Sequence, residues 1–380
     1  MPIDTHLKSD LEEADRLYGG DNIYKMLGPT LLSWTNTDSS RMYMYTSHLK
    51  QVLVLNNPDV PRLQTKFENT FGKRNKAYKQ LEGTWTVVAK IPKFIGYENS
   101  DYNVYTLVLY NKATDTYDMI EKPIAENLTE KFGYLYNTEV MDSLPVGTKI
   151  TNPILYKSKS YDKNMNYCFG KNARVAYSIS TDTLEDAIPI RKGWADGVKS
   201  TEVDFVDVSL NNNDILLNLC GTDDEYKAFP NIGEKVSHSR LCATRRVNKN
   251  HILYDFQTSN MRETYDTDTE YFVSKDSVVY DIEVFYNGEE EFPDNLFHRQ
   301  LKYYYEQNCR YADEMLAWTN KIKESGSNYT KNVNAFRDRY LHYNDKEYAW
   351  KGKDRAFGHI IVRFKVHAEV GLDLGSKMSG

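Results

Sequence analysis

The stretch that decides the fold reads His359-Ile-Ile-Val-Arg-Phe-Lys-Val-His-Ala-Glu-Val370. Apolar residues at every second position alternate with a set that includes the charged side chains of Arg363, Lys365 and Glu369. Successive side chains of a β-strand point to opposite faces, so this period of two predicts a long strand with one buried face.

The strand runs into a turn with a glycine at each end, Gly375-Ser-Lys-Met-Ser-Gly380. Glycine has no Cβ and lets the backbone come close to a ligand, while a lysine offers a point charge to a phosphate. The turn therefore predicts that Lys377 contacts phosphate. A lysine between glycines is also common in ordinary surface turns, and this second interpretation stays open.

The bulk composition predicts a folded chain of two or three domains. It has 380 residues, of which 40% are apolar and 13% aromatic, and this excludes a disordered chain. A net charge of −6 argues against a free-standing nucleic-acid coat protein. Residues 235–249 are locally basic, with Arg240, Arg245 and Arg246. They form either a solvated face or a contact surface for nucleic acid or a partner.

The cysteines and the apolar runs bear on the compartment. Cys168, Cys220, Cys242 and Cys309 lie too far apart for a CxxC zinc site and suggest no disulfide framework. We expect reduced core residues of a cytosolic protein. The chain shows no signal-peptide pattern and no apolar run near transmembrane length, so no membrane is expected as a partner.

Residue periodicity predicts a β-rich chain with few helices. A first helix is predicted at 9–18 and a second one between Gly28 and a turn near 37–40, with a further helix or an extended arm after that turn. Strands are predicted at 84–91, 105–110, 117–120, 149–156, 203–210 and 278–285, and short apolar runs lie at 172–179 and 186–190.

Two helices are predicted near the end of the chain, at 299–323 and 329–343, with Gly326 between them. The first carries an apolar stripe of Leu301, Tyr305, Ala312, Leu316, Thr319 and Ile322. We expect this hairpin to protrude as an arm rather than to form a core layer.

Four segments, in order along the chain, carry a resemblance to a known family. Residues 31–51 are similar to L-I-P-F-x-x-x-x-D-x-N-R-x-x-M-x-x-N-M-x-R-Q, with Ser47 in place of the second asparagine. Residues 170–177 and 184–188, Gly-Lys-Asn-Ala-Arg-Val-Ala-Tyr and Leu-Glu-Asp-Ala-Ile, are similar to G-x-N-x-R-V-A-F and F-E-D-S-I. Residues 278–285 and the following helices look like the end of a flap domain and its helical hairpin. The turn at 375–380 resembles G-D-K-M-A-G.

These patterns belong to the beta subunit of multisubunit DNA-directed RNA polymerases, which the chain resembles over most of its length. The resemblance implies a mainly β fold with α insertions. It would be a double-psi β-barrel built from discontinuous segments, with an inserted flap-like domain and a helical hairpin. The implied divisions are 1–60 (helical or arm segment entering the barrel), 61–160 (β-rich), 161–195 (barrel), 196–296 (flap-like), 297–345 (helical hairpin) and 356–380 (return strand and truncated lysine loop).

The resemblance also implies the site residues. Lys377, Glu185 and Asp186 would be catalytic, and Arg41 and Gln51 would lie near substrate or RNA. Mg²⁺ would be bound in the assembled enzyme, mainly by a D-F-D-G-D motif of the beta-prime chain, so no direct metal ligand is expected here. The nearest imitation in this chain, residues 266–270 (Asp-Thr-Asp-Thr-Glu), lacks the glycine.

The implied function is that of a nucleotidyltransferase subunit, the beta portion of a DNA-dependent RNA polymerase, inactive alone. Its partners would be beta-prime, the remaining beta segments, DNA template, RNA product, nucleoside triphosphates and a promoter-specificity factor. In the family the loop continues into R-H-G-N-K-G, so the chain is expected to be a fragment or part of a divided beta subunit, as in large bacteriophages. It would work in the cytoplasm of the bacterial host, or be packaged in the virion. The alternative is a β-rich structural or virion assembly protein without a catalytic role.

Overall fold

The structure is a computed structural model. It describes residues 28–32, 36–51, 54–69, 78–96, 104–122, 125–127, 132–137, 139–162, 164, 166–168, 170–178, 188–247, 261–288, 291–344, 359–374 and 376. The predicted helix at 9–18 lies outside these residues.

Strands dominate the described part of the chain, with few helices. The strands are β1 (Tyr78–Gln80), β2 (Thr84–Pro92), β3 (Tyr105–Asn111), β4 (Thr116–Glu121), β5 (Ala125–Asn127), β6 (Phe132–Asn137), β7 (Lys149–Thr151), β8 (Ile154–Ser158), β9 (Ser200–Leu210), β10 (Asp214–Leu216), β11 (Arg240–Arg246), β12 (Thr269–Phe272), β13 (Val278–Asn287), β14 (Asn328–Tyr329) and β15 (His359–Val370). The helices are α1 (Ser39–Gln51), α2 (Glu139–Asp142), α3 (Lys192–Ala195), α4 (Arg299–Glu324) and α5 (Lys331–Asn344), with 3-10 turns at Gly28–Thr30 and Ser237–Ser239.

The largest sheet has seven strands, in the order β1-β8-β6-β9-β15-β13, with β5 on β6. The predicted strand β15 lies inside it, antiparallel to β9 over eleven residue pairs and to β13 over nine. A β-bulge at Tyr280 shifts the register of β13. Beyond the bulge, Asp281 lies opposite Lys365 and Glu283 opposite Arg363.

Both faces of this sheet are covered around β15. On one face Val362 and Phe364 join a core with Phe229 and with Tyr304 of α4. On the other face Tyr343 of α5 packs against Phe285 and Ile361. The prediction of one buried face was therefore wrong. An alternating pattern shows which residues share a face, but what covers each face is set by distant segments.

The helical hairpin is part of the core and not a protruding arm, which corrects the sequence-based expectation. The first half of α4 packs on the large sheet, and its second half packs with α5 on the five-stranded sheet β14-β4-β3-β2-β7. The side chains buried along α4 are Leu301, Tyr304, Asn308, Tyr311, Ala312, Met315, Thr319 and Ile322. Gly326, at φ +74°, follows the helix as predicted.

The remaining strands β10, β11 and β12 form a three-stranded sheet. The other predicted strands are confirmed, but residues 149–156 form two strands, β7 and β8, that belong to different sheets. The apolar runs contain no strand at 171–178 and 188–190. The chain is thus a mixed fold of mostly sheets with few helices. The double-psi barrel and the six domain divisions stay predictions.

Two further expectations concern the membrane and the cysteines. Across the described ranges, no helix combines the length and apolar character needed to cross a membrane. All four cysteines are free, and Cys168 and Cys242 are buried. Burial raises the pKa of the Cys220 thiol to about 11, so this thiol stays protonated at neutral pH.

Candidate functional site

The chain that follows the 31–51 segment, the first residues of the 170–177 segment and the end of β15 lie together at one end of the large sheet, which we call the junction (residues 54–60, 170–172, 198–201 and 368–371). The chain leaving α1 crosses the start of β9, where Leu55 bridges Ser200. Ser200 is also the register partner of Val370, the last residue of β15. Farther along, Asp59 bridges Gly170. Segments more than 100 residues apart thus lie side by side.

Buried polar groups hold the junction together. The Asn56 N–H donates to the Lys199 carbonyl at 2.8 Å, and the Ser200 hydroxyl donates to the Val54 carbonyl at 2.6 Å. The Thr201 hydroxyl donates to the side-chain oxygen of Asn56 at 2.8 Å. Ser200 and Thr201 are almost fully buried, so these hydrogen bonds would be expensive to lose.

Residues of the Gly-Lys-Asn motif are fixed to the chain that follows α1. Asp59 accepts from the Lys171 ammonium at 3.0 Å and from the Asn172 N–H at 2.9 Å. Partial burial acts to raise the pKa of Asp59, but these two donors outweigh it and hold that pKa below its usual value. The Asn172 amide donates to the Val60 carbonyl and accepts from the Arg62 N–H. Asn172 therefore has a positioning role.

Beyond Asn172 the chain leaves the junction, and residues 173–177, which we call the open segment, are exposed. Val175 is 73% exposed and Tyr177 is 100% exposed. Residues 171–178 run without a turn or bend, and the open segment makes no hydrogen bond within the described part of the chain. The described part of the chain therefore leaves these two large side chains uncovered.

The loop after β15 begins a tight turn. The Asp373 N–H donates to the Ser376 hydroxyl, and the Ser376 N–H donates back to the Asp373 carbonyl, both at 3.0 Å. Leu374 between them is 100% exposed. This turn immediately precedes Lys377 in the sequence.

The structure describes two of the five predicted site residues, Arg41 and Gln51. Arg41 is exposed on α1, with one guanidinium N–H directed to the Met44 sulfur at 3.6 Å, and Gln51 is the last residue of that helix. Lys377, Glu185 and Asp186 lie outside the described residues. The structure thus brings together chain next to these residues, at 54–60, 170–172 and 370, and contacts among the five residues themselves stay predictions.

The most completely paired charges lie elsewhere, in a group that sequence reasoning missed. Lys93, Asp281, Glu283 and Lys365 form an ion quartet between the end of β2 and the large sheet. The Lys93 ammonium is 2.8 Å from Asp281 and 3.3 Å from Glu283, and the Lys365 ammonium is 2.8 Å and 3.0 Å from the same carboxylates. The signal for the quartet in the sequence is the charged residues at every second position of β13 and β15.

The two lysines balance the two carboxylates of the quartet. Burial acts to raise the pKa of Glu283, but the two ammonium groups outweigh it and lower that pKa to about 2. Burial alone would lower the pKa of Lys365, and the carboxylates instead raise it above its usual value. A neutral group with every charge paired stabilises the fold and offers little to a substrate.

The three arginines of residues 235–249 lie beside carboxylates, which favours the solvated-face interpretation for them. Arg245 makes a bidentate pair with Asp268 at 2.7 and 2.9 Å, and Arg246 pairs with Asp214 at 3.2 Å. Arg240 lies 3.5 Å from Glu270. Asp268 and Glu270 therefore neutralise arginines, and the described residues 266–270 are not part of a metal-ligand group. Lys249 lies outside the described residues.

The described carboxylates near the junction lie beside lysines, which does not suit them to hold Mg²⁺. Asp59 is engaged by Lys171, and Glu369 lies 3.9 Å from Lys199. Over the ranges that the structure describes, no three His, Cys, Asp or Glu side chains gather as a metal site. The pair assigned by resemblance, Glu185 and Asp186, lies outside them. Comparison of the chain with protein-family models and with curated proteins finds no match.

Proposed function

We propose that the chain is a beta-subunit portion of a multisubunit DNA-directed RNA polymerase. Its role would be to contribute cations and carboxylates to an active site completed by beta-prime. The support is the order of the four family-like segments along the chain. The junction adds that the start of the 170–177 segment is bound to Asp59, in the chain that follows the 31–51 segment.

The chemistry proposed for these residues is charge placement. Phosphoryl transfer requires the triphosphate and the attacking RNA end to be held in line and their charge neutralised. Lys377, carried on the loop after β15, would donate to phosphate. Glu185 and Asp186 would help to place the nucleotide-borne Mg²⁺, which supplies charge neutralisation when bound. The junction would fix the loop and the 170–177 segment relative to one another.

Reconstitution tests the assignment of this chain to a polymerase. The tagged, unsubstituted chain should co-purify with a chain containing D-F-D-G-D and should support template-dependent RNA synthesis only when the companion chains are present. RNA synthesis by the purified chain alone would contradict the proposed division of roles. Failure to bind any polymerase chain would favour the structural-protein alternative.

Lys377→Ala tests the catalytic role within the reconstituted enzyme. Loss of one preorganised charged donor in a partly dry site costs about 10²–10³ in rate, and we expect at least about a tenfold decrease in nucleotide addition. DNA binding should change far less. Glu185→Ala with Asp186→Ala should slow addition without preventing assembly. Lys159→Ala, a lysine outside the four family-like segments, is the control and should leave the rate unchanged.

A further inference from the structure

A second group of charged side chains gathers on the five-stranded sheet, and we call it the lysine cluster. It consists of Lys90 of β2, Tyr105 of β3, Lys122 just after β4 and Asp142 at the end of α2. The Lys122 ammonium, almost fully buried, is 2.8 Å from the Asp142 carboxylate. The Tyr105 hydroxyl donates to the same carboxylate at 2.9 Å. Asp142 is therefore already engaged by Lys122 and Tyr105.

Lys90 enters this cluster without a carboxylate of its own. Its ammonium donates to the backbone carbonyl of Asp142 at 3.3 Å and lies 4.2 Å from the centre of the Tyr105 ring. Within the described ranges no carboxylate oxygen lies within 4.0 Å of the Lys90 ammonium. Lys122 approaches the same ring, at 5.3 Å from its centre. The cluster thus holds two ammonium groups and one carboxylate, a surplus of one positive charge.

The surroundings of Lys90 favour its neutral amine. Burial lowers the pKa of Lys90; the Asp142 carboxylate acts against this and the Lys122 ammonium adds to it, so that this pKa lies below its usual value. The neutral amine is the nucleophilic form of lysine, and a lysine that is partly desolvated beside another cation is activated in this way. Lys365 of the quartet differs, because its two carboxylates raise its pKa.

Loss of the charge on Lys90 leaves the neighbouring ion pair intact. A neutral derivative of Lys90 leaves Lys122 paired with Asp142, and the cluster then carries no net charge. The same change at Lys93 or Lys365 would leave a surplus of buried negative charge in the quartet, which is costly. Lys90 is also only half-buried, so its amine can be reached by a small reagent.

We infer that Lys90 is a site of acylation by small acyl phosphates. The amine lone pair would attack the acyl carbonyl carbon, so that a C–N bond forms and the C–O bond to phosphate breaks. The phosphate leaves with the bonding electrons and takes up the proton that the amine loses. An acyl phosphate suits the cluster because its phosphate is anionic and the cluster has a surplus positive charge. This inference does not depend on the proposed function.

Acetylation of the full, unsubstituted chain by limiting acetyl phosphate at neutral pH tests this reactivity. Mass spectrometry of the peptides gives a rate constant for each lysine in the folded chain and in the chain unfolded in guanidinium chloride. Lys149 of β7, exposed on the same sheet, is the internal control. The ratio of the Lys90 to the Lys149 rate constant should be at least about fivefold higher in the folded chain. An equal or lower ratio in the folded chain would overturn the inference.

The pH profile and one variant test the cause of the reactivity. The Lys90 rate constant should level off below about pH 10.4, the ordinary lysine pKa, and levelling at or above that pH would contradict the activation. Lys122→Met removes the neighbouring ammonium and frees Asp142 to pair with Lys90, so Lys90 should react at least about threefold more slowly at neutral pH. An unchanged rate in the folded variant would also overturn the inference. If the variant does not fold, the two measurements on the unsubstituted chain decide.

Discussion

The ion quartet and the open segment differ in whether their polar groups have partners within the chain. In the quartet, Lys93 and Asp281 expose only 6% and 5% of their side chains, and each charge has opposite charges beside it. In the open segment, Arg174 has no carboxylate partner within the described part of the chain and Tyr177 is fully exposed. A region whose charges are all paired is explained by stability. A region with exposed apolar side chains, and with backbone groups that lack hydrogen-bond partners among the described residues, is suited to bind another molecule.

The centre of β15 and the chain that follows its end differ in the same way. At its centre, Lys365 is held between Asp281 and Glu283, so the strand is fixed to the body of the protein. At its end, after Val370, the chain turns outward with Leu374 fully exposed. A rigid strand leading to an exposed loop suits a role in presenting residues to something outside this chain.

The largest expected effect is the loss of stability on Asp281→Ala. Removing one carboxylate leaves a buried excess of positive charge, which costs about 3–5 kcal/mol of the free energy of unfolding. Urea unfolding at neutral pH measures it. The control is Asp207→Ala, which removes the partner of Arg363 from a pair whose side chains are 27% and 29% exposed, and we expect a loss of about 1 kcal/mol or less. If both variants lost the same unfolding free energy, the quartet would matter no more for stability than a partly exposed ion pair.

A smaller effect is expected in the pH dependence of stability. The pKa of Glu283 is lowered from 4.5 to about 2 in the folded protein, so its contribution is fully present above pH 4.5 and is lost as the pH falls towards 2. The part due to this group is on the order of 3 kcal/mol. Glu283→Gln should flatten the fall in unfolding free energy between these pH values. A variant with the same acid slope as the unsubstituted chain would contradict the quartet's electrostatics.

The smallest effect is expected in the open segment. Val175→Asp and Tyr177→Asp replace side chains that are already exposed, so the unfolding free energy of the isolated chain should change by less than about 0.5 kcal/mol. The same urea measurement applies, with Val146→Asp alongside as a control at a valine that is 61% exposed. A loss of about 2 kcal/mol or more would mean that these side chains pack within the chain, and the comparison with the quartet would fail.

Much of the local structure could be predicted from the sequence because periodicity is a local property. The apolar stripe predicted the helix at α4, and Leu301, Ala312, Thr319 and Ile322 are buried on it. Asn308, a polar residue on the same buried stripe, was not predicted there. Its amide donates to the Ile282 carbonyl of β13 at 3.0 Å, a partner that only the packing of α4 on the sheet provides.

The candidate site could be predicted only in part. Ordered motifs pointed to residues near 170–177 and after β15, and the structure binds the start of the first of these to the chain at 59–62. The contacts that do so, such as those of Asp59 with Lys171 and Asn172, join residues more than 110 positions apart. No local pattern marks such pairs, since either partner alone looks like a solvated charge.

The sequence by itself determined which residues of β15 alternate, where α4 ends and which segments resemble a polymerase subunit, because these depend on neighbours along the chain. The tertiary structure alone decided that both faces of β15 are covered and that the hairpin is a core layer. It also decided that Lys365 is bound in a quartet and that the open segment is exposed. Each of these depends on which distant segments pack together, because side chains become buried and charges become paired only where such segments are in contact.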